Sequence, residues 1–119
     1  MTPLIFALAS VAGGVGAAAR YAADVGIARV TGRRYPWGVF AINIVGSFLL
    51  GLVTAALPGA AFVVGVGLLG GFTTFSTAML DTVALWREGA RRASVFNAAG
   101  MLVLGILAAA AGLALGALV

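Results

Sequence analysis

Four apolar runs, each about as long as a membrane is thick, leave this chain almost no other way to fold. They cover approximately residues 3–23, 37–56, 60–83 and 93–118. Each meets the roughly 20 residues that a helix needs to cross the hydrocarbon. Hydrophobic residues make up 63% of the 119, and charged residues only 8%. A soluble domain of this size must show water a large polar surface, and too few charges are present to build one. The expected fold class is an all-α membrane protein with four transmembrane helices, forming one transmembrane domain over residues 1–119.

The residues that are missing narrow the function. Without cysteine, disulfides and thiolate metal sites are excluded; without histidine, the usual neutral-pH base is gone. The net charge of +4 is carried by arginine alone. On a soluble domain that balance would point to nucleic acid. On a chain this apolar it points to orientation in lipid, with no nucleic-acid partner. Asp24, Asp81 and Glu88 are the only acids. No Walker motif, dinucleotide fingerprint or nucleophile–base pair supports an enzyme. Met1 to Val11 lacks the basic start of a cleavable signal, so the first run is expected to stay in the mature protein.

Pro36 precedes the second run and pre-sets its approach. Pro58 and Gly59 make a very short turn, which forces the second and third helices to be antiparallel neighbours. Eighteen glycines is a high count, and several stand at helix-packing spacings: Gly46 with Gly51, Gly67 with Gly71, Gly112 with Gly116. Small residues let membrane helices approach closely, either within one chain or between chains; an oligomer interface is the expectation. The seven arginines, Arg20, Arg29, Arg33, Arg34, Arg87, Arg91 and Arg92, all lie in or near the first and third connections. The positive-inside rule puts those connections in the cytoplasm and both termini outside a multi-pass cell-membrane protein. Arg20, within the first run, could snorkel, pair with Asp24 or face a polar vestibule.

Two polar features lie inside the membrane. Asn43 stands in the second run with Ser47 one turn on. It is either helix-to-helix glue or a donor lining an anion or water path. In the third run, Gly70-Gly71-Phe72-Thr73-Thr74-Phe75-Ser76-Thr77 is poor material for a plain helix and predicts a break near mid-membrane. Freed carbonyls at such a break can hold a cation, and hydroxyls and ring edges can meet an anion. No acid lies at mid-membrane, which argues against a proton-coupled carrier.

Taken together, three motifs resemble the CrcB/Fluc family of fluoride channels: Gly13 to Tyr21, Pro36 to Phe48, and Gly70 to Thr77. The fourth run fits only through its length and Gly105. The resemblance implies an antiparallel, dual-topology-type dimer with two narrow pores and passive export of cytoplasmic fluoride. It implies a central structural sodium ion near the backbone carbonyls of Gly71 and Thr74, with Thr73 a neighbour. It places Asn43, Phe75, Ser76 and Thr77 along the fluoride path and Arg20 at the vestibule. Fluoride is strongly hydrated, so a selective path must replace water donors with protein donors yet still let go. Neutral amides, hydroxyls and ring edges suit that better than a buried charge.

The chain departs from the family pattern at Ala78, where a second pore phenylalanine is usual, at Val39, where threonine is common, and at Asp81, where glutamate is usual. A homodimer with a degenerate second site and one subunit of a two-gene heterodimer are both compatible with these changes. A homodimer of inverted copies needs nearly balanced charge across the two faces. This chain is strongly biased, so a homologous inverted partner with the opposite bias is expected. The rival readings are a non-conducting structural subunit and a small multidrug-type transporter. The latter relies on a first-helix glutamate, and the first run here has no acid before Asp24.

Overall fold

The computed structural model describes residues 2–119. It is all-α, with four helices long and apolar enough to cross a membrane: Pro3–Thr31, Trp37–Ala56, Pro58–Arg87 and Arg91–Ala117. The molecule measures 48 × 29 × 24 Å, and its long axis matches a bilayer of about 40–45 Å with headgroups. Most large apolar side chains are exposed, Leu4, Val11 and Leu102 among them, as lipid rather than water requires.

Local chemistry sets the helix ends. Thr2 caps the first helix by accepting the Ile5 N–H at 3.2 Å, and Pro3 fills the first turn, where a missing N–H costs nothing. This helix runs past Ala23 and Asp24 to Thr31 and stops at Gly32, whose φ of 78° suits glycine. At 29 residues it is longer than the hydrocarbon needs, so its last turns, with Arg29, extend toward the arginine-rich connections. Pro58–Ala60 forms one tight 3₁₀ turn between the second and third helices.

The third crossing is broken, as its composition predicts. Ala61–Leu69 is wound as a wide π-helix, and Gly70–Phe72 closes the first half. Thr73 and Thr74 are then extended, with ψ of 159° and 124°. The chain re-enters a helix at Phe75–Arg87, capped by Thr74 Oγ1, which accepts the Thr77 N–H at 3.2 Å. A second wide turn occupies Phe96–Gly100 in the fourth crossing. Such turns leave backbone groups out of the ordinary ladder and mark functional sites in many helices.

The second helix packs along the fourth, and the first along residues 61–72. Glycine makes both contacts possible. A Cβ on Gly51 would overlap the Ala109 carbonyl, and one on Gly112 would overlap that of Phe48. On the other seam, a Cβ on Gly67 would lie 2.7 Å from the Ala9 carbonyl oxygen, and one on Gly71 would overlap that of Gly13. Gly46 backs onto Thr73, and Gly116 onto Leu52. These glycines therefore serve close packing within one chain, where an interface between chains was expected. Spacing alone cannot separate the two uses, because both need backbones in contact.

Candidate functional site

The break at Thr73–Thr74 frees backbone groups inside the membrane, and Asn43 takes them up. Its Nδ2 donates to the Thr74 carbonyl at 2.8 Å, while its Oδ1 accepts the Thr74 N–H at 2.8 Å. The side-chain amide thus stands in for a missing peptide partner. The second Nδ2 hydrogen points at Met101 Sδ, 3.1 Å away. Ser47, one turn on, donates to the Asn43 carbonyl at 2.7 Å. On the other side of the break, Arg20 Nε donates to the Gly71 carbonyl at 3.3 Å. This partner is not among the three fates that the sequence left open to Arg20, and it ties the first helix to the break.

These groups border an open groove of about 480 Å³ lined by Asn43, Ser47, Thr73, Thr74, Phe75 and Met101, among others. Phe75 is 77% exposed beside it. Thr77 instead lines a smaller pocket of about 200 Å³ toward the arginine-rich end, with Asp24, Arg33, Tyr35, Val39 and Asp81. Ser76 is exposed and lines neither of these two. The residues named from the sequence are thus divided: Asn43, Thr74 and Phe75 share the groove, Thr77 lines a separate pocket, and Arg20 braces the break. Ala78 is only 2% exposed, packed with Val39, Phe40 and Met101. The same residue also lines the groove of about 480 Å³, so the space beside it is the groove itself.

The expectation of sodium and of metal binding is corrected here. Among the described residues no group of three or more His, Cys, Asp or Glu side chains could hold a metal ion. The physical reason is compositional, since the chain has neither histidine nor cysteine and only three acids.

Asn97, in the fourth crossing, is a functional candidate that the sequence reading above does not name. It is fully buried at 0% exposure. Its Oδ1 accepts the Tyr35 hydroxyl at 3.0 Å, and its Nδ2 donates to Thr82 Oγ1 at 2.9 Å and to the Ala78 carbonyl at 3.4 Å. Ser94 adds a bond to the Thr82 carbonyl at 2.7 Å. Around this knot Tyr35, Trp37, Phe40 and Phe96 contact one another in every pairing, with Phe40 and Phe96 stacked at 5.3 Å. Burial, and then the Asp81 carboxylate, push the Tyr35 hydroxyl up to about 12, so it remains a donor at neutral pH. Asn97→Leu is expected to strand its partners and lower stability by about 1–3 kcal/mol. Thermal unfolding in detergent reads this, and an unchanged midpoint would refute the bracing role. The lone amide in an otherwise apolar run was the available signal.

With the geometry established, comparison with known proteins supplies the lineage. Residues 7–113 match the family described as CrcB-like protein, Camphor Resistance (CrcB). The chain is a member of the CrcB-like family. Its similarity to curated relatives runs nearly end to end. It is 49% identical over 117 residues to fluoride-specific ion channel FluC 1 of Symbiobacterium thermophilum, covering 92% of this chain and 94% of that one. It is 44% identical over 118 residues to fluoride-specific ion channel FluC of Agrobacterium fabrum, covering 92% and 94%. Against FluC 1 of Leifsonia xyli the identity is 41% over 124 residues, covering 99% and 90%. In this CrcB-like chain, the third crossing is broken at Thr73–Thr74 and held there by Asn43.

Proposed function

We propose that the chain is a subunit of a fluoride-selective channel that lets cytoplasmic fluoride leave the cell passively. The observation that carries this reading is the groove at the helix break, in a chain whose near-full-length relatives are named fluoride-specific channels. The groove offers an amide, hydroxyls and the ring of Phe75, and no fixed charge is among the residues that line it. Neutral donors can replace the water shell of a small anion without holding it too tightly. Ion flow through such a path needs no bond making.

The groove is open along one side, and Phe75 stands exposed at its edge. A homologous inverted subunit closing that side would complete a pore between two chains. The arginine bias supports a fixed orientation, with both termini extracellular, and hence a heterodimer in preference to a homodimer. The burial of Ala78 and Val39 favours a second reading, in which this subunit braces a conducting partner. Both readings are tested with a fluoride electrode on liposomes. Fluoride efflux should require this chain together with a partner of opposite charge bias. Robust efflux from this chain alone would remove the heterodimer, and no efflux in either preparation would remove the channel. Terminal topology reporters should place both ends outside. If Asn43 and Phe75 substitutions in the conducting pair each leave flux unchanged, the bracing reading replaces the lining one.

A further inference from the structure

Asn43 has two side-chain N–H groups, and the structure uses them differently. One is committed to the Thr74 carbonyl at 2.8 Å. The other meets Met101 Sδ at 3.1 Å. The amide cannot turn over to change this, because its oxygen must face the Thr74 N–H, 2.8 Å away. The bond to sulfur therefore holds the one Asn43 donor not bound to backbone. Both residues line the groove, together with Phe75.

A thioether is a weak, neutral acceptor. A fluoride ion is a charged one, and charge-assisted hydrogen bonds are shorter and about twice as strong as neutral ones. Methionine is also unbranched and moves easily between rotamers. The residue packs with Val39, Phe40 and Ala78 and also lines the groove.

We propose that Met101 is a positioning residue for anion passage, whose sulfur holds the second Asn43 N–H while the path is empty and yields it to the passing ion. The inference rests on the fluoride reading above and adds a residue to it. Met101 keeps the N–H from standing bare in a membrane interior, where an unpaired donor is costly. Each bond to fluoride is made at the loss of the bond to sulfur, which weakens net binding and speeds release. An anion that accepts hydrogen bonds less strongly gains less from the exchange, so the same device favours fluoride over chloride.

Packing and hydrogen bonding can be separated, because leucine nearly conserves volume but accepts no hydrogen bond. The test uses the assembled, conducting channel in liposomes, with efflux measured against internal fluoride. In Met101→Leu the half-saturating concentration and the maximal rate should both fall by roughly three- to tenfold, the scale of one neutral hydrogen bond. A merely structural role would not move those two constants together. The second measurement needs no variant: with methionine methyls labelled, the Met101 resonance should shift on titration with sodium fluoride and stay still with sodium chloride. The inference is overturned if the wild-type channel conducts while both Met101→Leu constants stay within about twofold of it. It is equally overturned if the methyl ignores fluoride. A wild-type channel that passes no fluoride is a different result, because it removes the fluoride reading and this inference with it.

Discussion

Asn43→Ala should stop fluoride flux and loosen the third crossing. The substitution removes the side chain that bonds both the N–H and the C=O of Thr74. Those two groups would then sit unpaired at mid-membrane, beside an extended backbone with no helical neighbour to replace them. The expected loss is about 2–4 kcal/mol, the sum of two stranded backbone groups tempered by the modest worth of interhelical bonds in lipid. Asn43→Leu keeps the bulk but removes both bonds. Thermal unfolding should therefore rank wild type above both Leu and Ala, with flux lost in both variants. Wild-type stability in Asn43→Ala would show that the amide is not what holds the break.

Gly112→Ala is expected to be comparably damaging for a different reason. The new methyl would overlap the Phe48 carbonyl and stand 2.8 Å from the Leu52 nitrogen. Backbone cannot swing aside as a side chain can, so the second and fourth helices must separate along their length. Overpacking of this kind costs about 1–3 kcal/mol even where side chains can adjust. Gly26→Ala is the matched control. Nothing lies within 4 Å of its added methyl, and alanine is the better helix former by about 1 kcal/mol. The two variants should move the unfolding midpoint in opposite directions. A Gly112→Ala protein as stable as wild type would mean that the two helices are not in backbone contact.

Much of this architecture was legible in the residues. The crossings were visible because twenty-residue apolar runs have few alternatives, and the break at Thr73–Thr74 because two glycines and a run of hydroxyls cannot sustain a membrane helix. The turn at Pro58 was equally plain. Other features depended on three-dimensional proximity. Nothing in the sequence distinguishes Met101 from the aliphatic residues around it; only its approach to Asn43 gives its sulfur a task. The glycine pairs had the spacing of an interface between chains, but the same spacing serves two helices of one chain. Ala78 read as a missing ring, and only the structure shows it packed with Phe40 and Met101 while bordering the groove. Thr77 looked like a neighbour of Phe75, yet two residues along a helix is more than half a turn, and the side chain faces another pocket.

The extended step at Thr73–Thr74 also bears on the order in which the chain is built. Synthesis delivers the N-terminus first. Residues 58–72 and Phe75–Arg87 are each shorter than the roughly 20 residues of an independent span, so neither half is a sound membrane segment by itself. Asn43, 31 residues ahead of Thr74, leaves the ribosome first on an unbroken helix. The amide is in place before the break arrives, and the flaw in the third helix is mended by a residue that was translated earlier.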